Sequence, residues 1–186
     1  MKSKTIDEYK EVIKGCKEVF EKKTRDYGSA WRILRLPSIT DQIFIKAQRI
    51  RSIQEKGLQK VDDDIRSEFV GIINYCIIGM MQIALEDNPN LELPLKELMN
   101  LYDRALLETT DLLEDKNHDY DEAWREMRIS SITDIILMKV FRVKQIEDNL
   151  GETLISEGVK ANYQDMINYA VFCLIKLKYA QDEPIL

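Results

Sequence analysis

KTRDYGSAWRILRLPSITDQIFIKAQRI, residues 23–50, returns as KNHDYDEAWREMRISSITDIILMKVFRV, residues 116–143. Trp31 falls on Trp124, an offset of 93 residues, and 15 of the 31 positions from Lys23 to Ile53 are identical. One extra residue then moves the offset to 94, so that Ile73-Asn74-Tyr75 meets Ile167-Asn168-Tyr169. A self-match at a fixed period fixes the architecture, because each copy must build the same supersecondary unit.

Each copy reads as three helices. Upstream of the quoted stretch, Ile6, Tyr9, Ile13, Cys16 and Phe20 fall three and four residues apart, as do Leu98/Met99, Tyr102, Leu106, Thr109 and Leu113. That spacing puts each set on one helical face. Gly28 reads as the stop of the first helix, although Asp121 takes its place in the second copy, so the turn does not require glycine. Ser38-x-x-Asp41 and Ser131-x-x-Asp134 read as capping boxes that open the second helix. The third helix is expected over 62–85 and 157–179, apolar nearly all round from Phe69 onward and hence central. The expected fold is an all-α helical bundle of two tandem three-helix repeats, residues 1–86 and 95–186, joined by a linker at 87–94. A lone unit would expose its apolar third helix, so the two are expected to pack through a pseudo-twofold axis and share one core.

Composition agrees with helices: Gly 7 and Pro 4 among 186 residues are few for a β-rich chain. The net charge of −6 and the absence of a basic block argue against a nucleic-acid duplex as partner, but leave room for a small anionic ligand. Cys16, Cys76 and Cys173 form no CxxC pair and read as buried free thiols of a reducing compartment. The N-terminus carries no apolar signal segment. The longest apolar run, Ile72–Leu85, is broken by Asn74 and Gln82 and reads as too short to span a bilayer. A cytoplasmic protein without membrane contact is expected.

The informative residues are polar ones in apolar places. In the second helix, Lys46 and Lys139 interrupt seams built from Ile39, Ile43, Ile50 and Ile53 and from Ile132, Ile136, Val143 and Ile146, and Arg49 and Arg142 follow three residues on. An ammonium in such a seam needs a partner. Two partners fit: a carboxylate such as Asp26, Asp119 or Asp165, or a phosphate held by lysine as a point charge and arginine as a planar fork. Asn74 and Asn168 interrupt the third helix and read either as interhelical hydrogen bonds or as contacts to a base or ribose. Trp31 and Trp124 read as core anchors, and Tyr27 and Tyr120 offer rings for stacking. Asp165, with Gly71 opposite it in the first copy, and Glu157 are acids enriched in the second copy, which makes that copy the better candidate for chemistry. His118, the single histidine, reads as an exposed loop residue.

Lys116-x-x-Asp119-Tyr120, Ala123-Trp124, Lys139-x-x-Arg142 and Asp165-x-x-Asn168-Tyr169-Ala170 together resemble the first nucleotide-modification-associated domain family, once per copy over nearly the whole chain. The helical pattern is also distantly similar to all-α nucleoside-triphosphate pyrophosphatases of the MazG and dimeric dUTPase type, which bind Mg2+ through ExxE on one helix and ExxD on another. The chain departs from that pattern. Lys46 to Arg49 and Lys139 to Arg142 stand where ExxE is expected, and Asn162 stands at the Glu of ExxD with Asp165 at its Asp.

The resemblance implies a nucleotide-binding protein, and a Mg2+-dependent pyrophosphohydrolase or nucleotide-modifying enzyme within that class. Lys139, Arg142, Tyr120 and Asn168 would bind nucleotide, with Lys46, Arg49 and Asn74 their first-copy equivalents. Asp165 and Glu157 would be catalytic, and with Asp119 would hold the metal. Two alternatives stay open: a non-catalytic nucleotide sensor, and a helical interaction module whose polar residues form buried salt bridges. Self-association of the whole chain also stays open.

Overall fold

The computed structural model describes residues 4–57, 65–120 and 122–182, with side chains over 4–57, 65–113 and 122–178. Six helices follow in order: α1 (Lys4–Tyr27), α2 (Leu36–Lys56), α3 (Ile65–Ala84), α4 (Leu95–Tyr120), α5 (Ile129–Asp148) and α6 (Val159–Asp182). A short 3-10 turn precedes α2 (Ala30–Ile33) and α5 (Ala123–Glu126), and no strand occurs among the described residues. The periodic residues of α1 and α4 are the buried ones, from Ile6 to Phe20 and from Leu98 to Leu113. Gly28 ends α1 at φ 60°, its N–H donating to Thr24 O at 2.8 Å, a left-handed conformation that glycine adopts without steric cost.

The capping boxes are not formed. Both second helices begin three residues early, after Arg35 and Arg128, neither of which makes a side-chain capping bond. Pro37 suits this earlier start, since a proline in the first turn gives up an N–H that has no helical partner there. Ser38 and Ser131 thus lie inside the first turn rather than before it.

Helices α2, α3, α5 and α6 form the central layer, with α3 against α6 and α2 against α5. The first helices are exchanged: α1 packs chiefly on α6 and α4 chiefly on α3. The pseudo-twofold axis shows in reciprocal polar pairs that the repeat offset converts into one another. Tyr9 Oη donates to Asn168 Oδ1 at 2.9 Å, and Tyr102 Oη to Asn74 Oδ1 at 2.8 Å. Lys144 pairs with Asp41 at 2.6 Å and Arg51 with Asp134 at 3.5 Å. Such reciprocity is the mark of an isologous interface, here inside one chain. By length and composition α3 as a whole, 20 residues with mean hydropathy 1.3, could cross a bilayer, because the helix reaches back to Ile65, beyond the apolar run that starts at Ile72. Its apolar surface is instead spent on the other helices: 61% of that window is buried, with Phe69, Ile72, Ile73, Cys76 and Ile77 fully enclosed. Each such side chain contributes about 1.5–3 kcal/mol.

One reciprocal pair is chemically unequal. Gln54 donates to Thr133 at 3.1 Å, whereas its counterpart Glu147 accepts from Thr40 at 2.7 Å. Burial pushes the Glu147 carboxyl above its ordinary range; the Thr40 bond opposes this, and repulsion from Asp41 and Asp148 adds to it. A carboxyl whose folded pKa is raised contributes most below its unfolded pKa and loses that contribution as pH rises through the folded one. Glu147→Gln therefore raises the melting temperature at neutral pH, and the gain disappears below about pH 4. Melting curves across that range check it, and a variant no more stable than wild type at neutral pH contradicts it.

Candidate functional site

The lysines of the two seams meet different surroundings. In the second repeat, Lys139 Nζ contacts Asp165 Oδ2 at 2.6 Å, with the two side chains only 10% and 14% exposed. Of the two partners open to Lys139, the structure supplies the carboxylate. In the first repeat the position level with Asp165 is Gly71, and the acid lies one turn earlier, at Glu68. Arg49 hydrogen-bonds Glu68 Oε1 directly, while Lys46 Nζ reaches Oε2 only at 3.5 Å.

Above Lys46 lies a cavity of about 530 Å3 between the end of α1, the first 3-10 turn, α2 and α3. Phe20, Tyr27, Trp31 and Tyr75 supply aromatic walls, and Lys23, Lys46, Ser67 and Asn74 supply polar groups. Tyr27 is 70% exposed. The indole N–H groups of Trp31 and Trp124 are buried and find no acceptor among the described residues, an uncommon state for a buried donor. The local sequence explains why this side stays open. Ile78 lines the cavity, whereas its counterpart Phe172 fills the same place in the second repeat, where Trp124 stacks on it at 4.3 Å and 6°. Trp124 is a core anchor there; Trp31 is only half-buried and forms a wall.

Lys139, Arg142, Glu157 and Asn162 line a separate, more open groove of about 1180 Å3 under the α5–α6 connection. Asp165 is not among its lining residues and is held by Lys139. Asn74 and Asn168 take the first of their two readings. Asn74 accepts from Tyr102 and donates to Cys16 O at 3.1 Å, and Asn168 accepts from Tyr9, so both amides tie a first helix to a third helix. Asn74 still presents part of its side chain to the cavity. The side chains of His118, Asp119 and Tyr120 lie outside the described residues.

Among the described residues the acids do not converge on a Mg2+ site. Asp165 is engaged by Lys139, Glu157 is exposed on a connection, and no group of three or more His, Cys, Asp or Glu side chains among the described residues is arranged to hold a metal. A hard divalent cation needs several converging oxygens, so the described residues do not fit it. The cysteines are buried free thiols, and burial pushes Cys16 up to about 12 and Cys76 and Cys173 higher than usual, which leaves them unreactive.

Two features escaped the sequence reading. Glu68 was detectable by carrying the 94-residue offset one turn back from Gly71, where it meets Asn162. Arg32 and Arg125, identical in the two copies, turn out to be structural clamps. Arg32 is buried and donates to Asn88 O at 2.6 Å and Asn90 O at 3.2 Å, pinning the linker. Arg125 bridges Glu8 and Glu122, each at 2.7 Å, and covers the Trp124 ring.

A family model described as nucleotide modification associated domain 1 matches residues 23–83 and again 116–177, once in each repeat. No curated protein and no solved structure matches the chain.

Proposed function

The chain belongs to the nucleotide modification associated domain 1 family, and from that membership we propose that it is a nucleotide-binding protein whose ligand enters the first-repeat cavity. The cavity carries the reading. Its volume of about 530 Å3 falls within the range of small-molecule sites, and its aromatic walls with two lysines match the two chemical halves of a nucleotide. A base stacked on an aromatic ring gains about 1–3 kcal/mol. Lysine serves phosphate as a point charge.

Mg2+ enters this reading only as a counter-ion carried in on the phosphates. Metal-dependent pyrophosphate hydrolysis would require Asp165 to leave Lys139 and meet Glu157, so no hydrolytic step is derived from these residues. In the second repeat, the directly paired Lys139 and Asp165 favour a structural role for the polar set.

A thermal-shift panel of ribo- and deoxynucleotides, with and without Mg2+, tests the binding reading. A ligand at a hundred times its Kd adds roughly 2.7 kcal/mol, a rise of about 5–10 °C for a domain of this size. The rise is expected for at least one nucleotide and is expected to shrink in Lys46→Met. A flat panel counts against the reading and leaves the ion pairs as purely structural.

A further inference from the structure

We infer that the chain holds one nucleotide rather than two, and that Lys46 takes its phosphate by exchanging one anion, Glu68, for another. This rests on the nucleotide reading of the first-repeat cavity.

The two repeats keep complementary halves of one acidic pair on the third helix. Offset by 94 residues, Glu68 stands over Asn162 and Gly71 over Asp165. In the second repeat the acid is level with the lysine and locks it, at 2.6 Å between largely buried side chains. Pulling Lys139 away breaks a direct buried charge pair, which is strongly unfavourable.

In the first repeat the level position has no side chain. Lys46 lies across that gap: a Cβ added to Gly71 would sit 2.7 Å from Lys46 Cδ and Cε. From there Nζ must reach back to Glu68 at 3.5 Å, beyond the usual length of a hydrogen bond. The other oxygen of Glu68 is bonded by Arg49. Glu68 therefore keeps a cation when Lys46 turns away, and the turn does not strand a buried carboxylate. Lys46 lines the cavity with its side chain 27% exposed, so the displaced ammonium has somewhere to go. At the matching place in the second repeat Phe172 stands for Ile78 and stacks on Trp124. Gly71 is thus the residue that separates a releasable lysine from a locked one.

Calorimetric titration of the full chain with ribo- and deoxynucleoside monophosphates of each base, and with inorganic phosphate alone, tests this. One site per chain is expected. Gly71→Asp, which transplants the second-repeat lock beside Lys46, is expected to weaken binding roughly ten-fold or more without lowering the melting temperature. Lys46→Met is expected to weaken it to a similar degree, and decides the matter should Gly71→Asp fail to fold. Two sites per chain, or full affinity in Gly71→Asp with Lys46→Met weakened, overturns the inference while the nucleotide reading stands; full affinity in Lys46→Met overturns the inference and counts against the first-repeat site as well. If no monophosphate binds the wild-type chain but a longer nucleotide does, the same stoichiometry and variants are read with that nucleotide. If none binds at all, the nucleotide reading falls and this inference falls with it.

Discussion

Asp165→Leu is expected to cost about 3–5 kcal/mol of folding stability, and adding Lys139→Met to the same chain is expected to return most of it. Lys139 sits in the apolar seam of α5 among Ile136, Val140 and Val143, all buried. Its ammonium meets Asp165 at 2.6 Å with little solvent on either side. Leucine at 165 fills the volume but leaves a buried cation without that carboxylate. Methionine at 139 then removes the charge, and an apolar pair of similar shape is close to neutral in such sites. Equilibrium urea unfolding of the single variants and the double variant gives the coupling, expected at about 2 kcal/mol or more for groups in direct contact. A single variant within measurement error of wild type would show that the lysine stem carries its charge out to water and that the pair does not hold the seam.

The second large effect comes from a glycine in the middle of α3. A Cβ on Gly79 would lie 2.5 Å from Cε2 of Tyr163 and 3.0 Å from its Cζ. That ring is fully buried, and its hydroxyl lies 2.8 Å from Thr40 Oγ1, which in turn bonds Glu147. The ring cannot retreat without breaking that chain. Gly79→Ala gains up to about 1 kcal/mol of helix propensity but forces α3 and α6 apart at their crossing, and overpacking of this kind costs about 1–3 kcal/mol. Gly79→Val carries the larger penalty, so a net loss of about 2 kcal/mol or more is expected for it. Thermal melts check this, with Tyr163→Leu in the same chain expected to relieve the loss. A Gly79→Val protein as stable as wild type would mean that the crossing is looser than the structure shows.

These two positions show how far the sequence could be read. Periodicity identified the apolar faces of α1 and α4 because burial there follows spacing directly. The seam lysines call for a partner, and Asp165 is one of the acids the sequence offers for it. The exchange of α1 and α4 between repeats was not legible, since a helical face shows that a neighbour exists and not which one. Tyr9 and Tyr102 look like ordinary members of an apolar face until their hydroxyls are seen on Asn168 and Asn74. The capping boxes misled because a serine three residues before an acid also occurs within a first turn, where Pro37 had already started the helix.

The candidate site was harder to read for a physical reason. Extra acids single out the second copy in the sequence, whereas the first-repeat cavity is marked by what is missing: no side chain at Gly71, and Ile78 where the other repeat has Phe172. A void is a property of several elements at once and leaves little trace in one helix's pattern. Once the repeats are superimposed, the same two positions become its clearest signature.

The chain has two tryptophans, one on the cavity wall and one stacked on Phe172, so fluorescence can locate the ligand. Trp124→Phe leaves Trp31 as the only reporter. Titrating that variant with the nucleotide panel is predicted to change Trp31 emission saturably, with the change weakened by Lys46→Met. Emission that stays flat across the panel, or a Trp31→Phe chain that responds through Trp124 instead, contradicts a nucleotide site in the first repeat.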